Sequence, residues 1–319
     1  MSFSRSVKME LIEVRLRHDT DQLELISGYT LAIASLKYIP KARSWALRYV
    51  TECAPALSYV SKLIGRAYKV EHELYVTLHQ RLKAQNTELL VYGEELDKLM
   101  NDIGFSSLDE SGERSFNMRM PDGLESDHAV RAFIRGVFLA CGSVSDPAKG
   151  CYAELVFKNE QLARSVLKLL FARDISCKIT IRKNSWIVYL KEGEMVEDFL
   201  TFMGAGESML AVREQRMYRE IANNSNREVN CFSANMEKAA RASASQVEDI
   251  ALILNERGAD CLSEQLYEVA SARMANPEMT LSQLADALGI GKSAVNYRMR
   301  KLSAIADEIK HELGIDTDY

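Results

Sequence analysis

The chain has 319 residues, enough for two domains at roughly 100–200 residues each. Its 47% hydrophobic and 27% charged residues are those of a folded globular protein, which excludes a disordered or low-complexity chain. Lys and Arg number 40 against 45 Asp and Glu, a net charge of -5. That excludes a histone-like coating protein but not a DNA binder, because the charge that matters is local to the contacting face.

The opening stretch, MSFSRSVKMELIEV, lacks the apolar centre of a signal peptide, and no run of about 18 apolar residues follows. The expectation is a cytoplasmic protein with no membrane contact. Cys53, Cys141, Cys151, Cys177, Cys231 and Cys261 are scattered without a CxxC pair. The five histidines are dispersed, and His72 and His79 make no HExxH site. Reduced thiols are expected, with no metal site and no cofactor.

In chain order, residues 21–36 (DQLELISGYTLAIASL) have a helical pattern with Gly28 and Ala32 one turn apart. Strand-like residues follow at 44–51 and 69–78, and residues 93–104 read as a short amphipathic helix bounded by glycines. The same order then returns. The segment 127–141 carries Val130, Phe133, Ile134, Val137 and Phe138 as one apolar stripe, with Gly136 and Ala140 beside it. Strand-like residues at 151–157, 177–182 and 185–190 follow, with Asn184 at a hairpin tip. Residues 193–204 close the copy: Leu96/Val196, Leu99/Phe199, Met100/Leu200 and Ile103/Met203 match, as do the bounding glycines. A spacing near 100 residues marks a domain duplication, not a solenoid. The predicted fold class is α+β: a duplicated αββαββα domain over residues 1–205, with repeats at about 1–105 and 125–205.

Small residues at i, i+4 let two helix backbones approach closely, and this arrangement resembles the LAGLIDADG homing-endonuclease fold. The resemblance implies two helices meeting at a pseudo-twofold axis, each ending in an acid that binds a catalytic divalent cation. Here Ile134–Ser143 aligns with the motif and puts Cys141 at the acid position; Ile26–Ser35 aligns in the first copy and puts Ile33 there. Neither side chain holds magnesium, so no catalytic residue is expected. The saddle of such a fold can still hold nucleic acid or a partner protein. Arg173, Lys178, Arg182 and Lys183, with Lys191, surround the second hairpin, and Asp174 is the only acid among them. They are a candidate phosphate-tracking surface, or equally a charged edge that resists aggregation.

Residues 206–229 read as a linker: a helix over about 208–222, then a turn at Asn223–Arg227. An all-α domain, 230–319, follows with helices at 231–257 and 262–275, the second ended by Asn276-Pro277. The sharpest local pattern spans about 279–302. Thr280 and Gln283 form a capping box, Ala285 is small where two helices pack, Gly289 supplies the turn, and Val295, Met299 and Leu302 face inward. This is a helix-turn-helix. The outward face of its second helix holds Ser293, Tyr297 and Arg300, flanked by Asn296 and Lys301, with Lys292 and Arg298 at the margins; no acid occurs from Lys292 to Ala306. Such a helix suits the major groove: Tyr297, Arg300 and Asn296 would read bases, and Lys292, Ser293, Arg298 and Lys301 would hold phosphates.

The SFS-x3-K-x-EL start (Ser2–Leu11), the degenerate helix pair around Arg135–Val144, the stretch Asn226-Arg227-x2-Asn230-Cys231-x3-Asn235-x2-Lys238 and the segment Lys292–Lys301 occur together in one family. On these the chain resembles the WhiA family of Gram-positive sporulation and cell-division regulators. The resemblance implies a sequence-specific, nucleoid-associated regulator of transcription acting on double-stranded DNA, with a protein co-regulator as a further partner and no nuclease activity. The chain departs from the family pattern at Tyr297, where His is common, and in its short turn, Gly289-Ile290-Gly291. The rival readings are a metal-dependent endonuclease, which needs carboxylates at 33 and 141, and a protein-binding adaptor.

Overall fold

The computed structural model describes residues 2–40, 44–79, 84–108, 114–115, 120–121 and 123–314. Two units, Met1–Glu220 and Ile221–Tyr319, are each compact.

The first unit opens with α1 (Phe3–Glu13), α2 (Asp19–Ile33), β1 (Ser35–Ile39), β2 (Ser44–Thr51), α3 (Ala54–Ala67), β3 (Glu71–His79), β4 (Ala84–Tyr92) and α4 (Leu96–Asp102). A short ladder of β5 (Ser107–Leu108) with β6 (Arg114–Ser115) follows. The second copy is α5 (Asp127–Cys141), β7 (Gly142–Val144), β8 (Ala153–Phe157), α6 (Glu160–Phe171), β9 (Lys178–Arg182), β10 (Ser185–Leu190) and α7 (Gly193–Met203). Its sheet runs β7-β8-β10-β9, and the first copy's runs β1-β2-β4-β3, both antiparallel. The same αββαββα path drawn twice is the duplication expected from the repeat.

Sequence explains each element locally. Ser126 Oγ accepts from the Ala129 amide to start α5, and Asn159 Oδ1 accepts from Leu162 to start α6. Alternation in β8 sends Ala153, Leu155 and Phe157 inward. Lys183 and Asn184, with φ of 48° and 60°, close the β9–β10 hairpin in the left-handed turn that matches strand twist. The predicted helix 21–36 stops at Ile33, because Ser35–Ile39 instead pairs with β2, Leu36 opposite Leu47.

The core is centred on α2 and α5, where Leu25, Ile26, Tyr29, Phe133 and Val137 are fully buried. Gly28 lies against the Phe133 carbonyl and Gly136 against the Leu25 carbonyl, with no room for a Cβ at either. α1 lies outside the repeat: Val7 and Leu11 enter this core, and Glu10 accepts hydrogen bonds from the Glu207 and Ser208 amides at the start of α8 (Gly206–Glu256).

That last helix corrects the sequence reading. The turn expected at Asn223–Arg227 is absent, and α8 runs unbroken for 51 residues. Its interior holds neither Gly nor Pro, and the Asn and Ser taken as a turn signal disfavour helix by only about 0.7 kcal/mol or less per residue. Residues 221–242 of α8 are exposed.

In the second unit a 3-10 turn (Ala259–Cys261) precedes α9 (Glu264–Ala275), α10 (Leu281–Ala287) and α11 (Lys292–Glu312). Ile250, Ile253, Val269, Leu284, Val295, Met299 and Leu302 form its core. Arg273 is buried there, donating to Ser243 Oγ (3.2 Å) and to the Met279 carbonyl.

Candidate nucleic-acid interface

The geometry of α10 and α11 follows from a few residues. Thr280 Oγ1 accepts from the Gln283 amide (3.3 Å) and Gln283 Oε1 accepts from the Thr280 amide (2.8 Å), so the capping box fixes where α10 begins. Ala285 is 3% exposed, letting α11 pack closely. Gly289 takes φ +67°, and the Ile290 amide returns to the Ala285 carbonyl (3.0 Å), closing the turn.

On α11 the inward residues are Val295, Met299, Leu302, Ala306 and Ile309. The helix runs ten residues beyond the predicted motif because Ala306 and Ile309 continue the apolar spacing, while Ser303 and Lys310 both bond Asp249 (2.8 and 2.6 Å). Six expected contact residues, Lys292, Ser293, Asn296, Tyr297, Arg300 and Lys301, are exposed. Tyr297 is 60% exposed, with Lys301 Nζ 4.9 Å above its ring. Arg298 differs: its guanidinium turns to the Gln265 carbonyl and Glu268 on α9, both at 3.4 Å. The helix therefore presents an aromatic ring with Lys301 over it, an amide and three further exposed polar or cationic groups on one side, with apolar side chains on the other.

The second expected surface is divided. Lys178 and Arg182 share one face of the edge strand β9, and Arg182 pairs with Glu154 at 3.4 Å. Lys183 stands exposed at the hairpin tip. Arg173 instead pairs with Asp127 in the first turn of α5 (3.1 Å), so it is tied to the helix layer and not to the strand.

At the C-terminal ends of α2 and α5, where the nuclease resemblance calls for acids, stand Ile33 and Cys141. A cavity of about 620 Å³ at the end of α5 is lined by Lys8, Glu52, Cys53, Cys141 and Ser143, among others. Lys8 Nζ donates to the Leu139 carbonyl (3.0 Å) and lies 5.9 Å from the Phe138 ring centre. Burial pushes the Lys8 ammonium below its ordinary pKa and lifts the Cys141 thiol to about 12, so Cys141 carries no charge. Among the described residues, no three His, Cys, Asp or Glu side chains gather as metal ligands.

Sequence reasoning passed over two cationic groups. One is Lys8, the lysine of the Ser2–Leu11 motif. The other is Arg131 and Arg135, whose signal was two cations at i, i+4 inside the otherwise apolar stretch 129–141.

Comparison with known proteins agrees with this architecture. Residues 130–222 match the WhiA LAGLIDADG-like domain, and residues 225–306 match the WhiA C-terminal HTH domain. A probable cell division protein WhiA from Clostridium botulinum is 33% identical over 315 residues, covering 97% of this chain and 99% of that protein. A protein of the same name from Alkaliphilus metalliredigens is 33% identical over 319 residues, covering 96% and 98%. The crystal structure of full-length WhiA from Thermotoga maritima shares the fold, with a TM-score of 0.59 at 21% identity over 97% of this chain and 99% of that one. With both domains matched in order and the whole length aligned, the chain belongs to the WhiA family.

Proposed function

We propose that this protein is a sequence-specific DNA-binding regulator of transcription, and that α11 is its reading helix. The observation that carries the reading is the outward face of α11: six exposed polar, cationic or aromatic residues, and no carboxylate on the helix before Asp307. Asn296, Tyr297 and Arg300 contact base edges in the major groove, and Lys292, Ser293 and Lys301 contact phosphates. Arg298, held by Glu268, fixes α11 against α9 and adds its charge at the margin of the groove. Residues 230–319 act as the DNA-binding domain, 206–229 as the connection, and the duplicated domain, 1–205, as a second contact for nucleic acid or a protein co-regulator through Lys178, Arg182 and Lys183, with Arg173 behind them. The relatives' cell-division names support a role in division, and the DNA contact of α11 would place the protein at the nucleoid in the cytoplasm and extend that role to chromosome segregation.

The duplicated domain does no cutting in this reading. An ammonium, Lys8, sits where a divalent cation would need carboxylates, and a thiol and an isoleucine hold the two acid positions. Supercoiled plasmid incubated with the protein and magnesium therefore stays intact; nicking would restore the endonuclease reading.

The test of DNA reading selects bound sequences from a random duplex library with the full chain and measures affinity by fluorescence anisotropy. Arg300→Ala weakens the selected site by about 1–3 kcal/mol, and Lys301→Ala lowers affinity for all sequences and reduces the salt slope by about 1. A library with no enriched sequence, or an unchanged affinity for Arg300→Ala, rejects the proposal.

A further inference from the structure

At the opposite ends of the same two helices lies a cavity of about 410 Å³ whose lining includes Arg15, Arg17, Arg131 and Arg135. Arg135 is buried at 5% exposure, and its Nε donates to the Met203 carbonyl (2.9 Å). None of these four guanidiniums has a carboxylate within 4.0 Å among the described residues. Among the described residues the one carboxylate in the lining is Asp21, a single negative charge whose Oδ1 accepts from His128 Nδ1 (2.8 Å) and whose Oδ2 accepts from the Arg17 and His18 amides (both 3.1 Å). His18 and His128 stack at 4.0 Å to form one wall, and Arg131 lies 5.4 Å from the Phe202 ring centre.

Four guanidiniums against one carboxylate among the described residues leave the cavity with excess positive charge, and holding Arg135 buried beside Arg131 carries an electrostatic cost. An anionic ligand removes it. Guanidinium forks match phosphate oxygens in pairs, and the cavity exceeds what inorganic phosphate fills, lying in the size range of small-molecule sites. From this geometry we infer that the cavity is a binding site for a small molecule carrying a di- or triphosphate, with Arg135 as the buried anchor and Arg17 and Arg131 as the outer clamps. Because Arg135 also holds the Met203 carbonyl at the end of α7, the ligand would seat against the corner from which α8 departs. The site is independent of the DNA contact of α11.

Isothermal titration calorimetry of the full chain tests this with inorganic phosphate, pyrophosphate, ADP and ATP, each without added metal. Saturable one-to-one binding is expected, with pyrophosphate or a nucleotide bound at least tenfold tighter than inorganic phosphate. Arg17→Ala with Arg131→Ala, both exposed positions, should weaken that binding at least tenfold while leaving the thermal midpoint of the unliganded protein in place. Arg135→Lys keeps the charge but loses the fork, and should weaken it likewise. Absence of saturable binding for all four probes overturns the inference, as does binding indifferent to the double variant. So does displacement of the bound nucleotide by duplex DNA lacking a selected site, which would make the cavity a seat for backbone phosphate.

Discussion

The strongest structural commitment of the first unit is the approach of α2 to α5, and Gly136→Ala probes it. An ideal Cβ on Gly136 would lie 2.9 Å from the Tyr29 amide nitrogen and closer still to the Leu25 carbonyl oxygen, whereas ordinary contact begins at 3.4 Å. Both obstacles are helix backbone, so no rotamer change relieves them. The helices must part by about 0.5 Å or more, and a gap of that order forfeits a quarter to a half of the dispersion energy of the facing atoms. Overpacking of this kind costs about 3 kcal/mol. For a unit of this size each kcal/mol moves the midpoint by about 2–4 °C, so the variant should melt about 6–12 °C lower. Differential scanning calorimetry of the full chain reads this in the transition assigned to the first unit. Gly28 meets the same crossing from the other side, 3.1 Å from the Val137 amide nitrogen. Gly28→Ala should therefore cost a similar amount, and the double variant less than the sum, since one separation accommodates both methyls. A midpoint within 1 °C of the parent for Gly136→Ala would refute the close-approach argument.

Glu24 is buried with Oε2 unpartnered among the described residues, and burial with the nearby Asp21 charge lifts its carboxyl to about 7. The protonated acid favours the fold below the ordinary carboxylate range, and that contribution is lost as pH rises through about 7. Glu24→Gln should thus raise stability by about 1–3 kcal/mol at pH 8 and leave it unchanged at pH 4.5, read by thermal melts across that range. Thr280→Ala removes the capping box and should cost about 1 kcal/mol in the second unit's transition, with no effect on the first. Arg298→Ala breaks a pair with Glu268 on the protein itself, so its loss of DNA affinity should be smaller than that of Arg300→Ala in the same anisotropy assay.

The elements most readable in the sequence were those whose pattern is local. Thr280-x-x-Gln283, Gly289 and Gly204 each act within a turn or two, and the structure places capping or positive φ at each. The duplication was readable because both copies keep the same small residues and bounding glycines. What escaped depends on contacts distant in the chain. β1 forms because residues 35–39 find β2, which local helix pattern does not reveal. The motif lysine, Lys8, reaches Leu139 across 131 residues, and Glu10 caps a helix 197 residues away. Arg298 has the same residue type and spacing as its neighbours on α11; only the position of α9 separates a held arginine from a free one.

These long-range contacts share one electrostatic logic. α2 and α5 lie side by side with their N-terminal turns at one cavity, and the C-terminus of α5 lines the other. Aligned peptide dipoles leave partial positive charge at the first end and partial negative charge at the second. A carboxylate-bearing helix pair would need a divalent cation at the second end to hold its acids together. With Ile33 and Cys141 there instead, the ammonium of Lys8 bonds the Leu139 carbonyl near the end of α5, with Glu52 in the same cavity holding up its charge. At the first end Asp21 and Asp127 stand in the first turns of α2 and α5 and meet the dipoles, but four arginines line the cavity there against Asp21 as its one carboxylate among the described residues. The Lys8 contact thus meets the α5 carbonyl end from within the chain, while at the other end guanidiniums outnumber the described carboxylate of the lining and suit an anion from outside it.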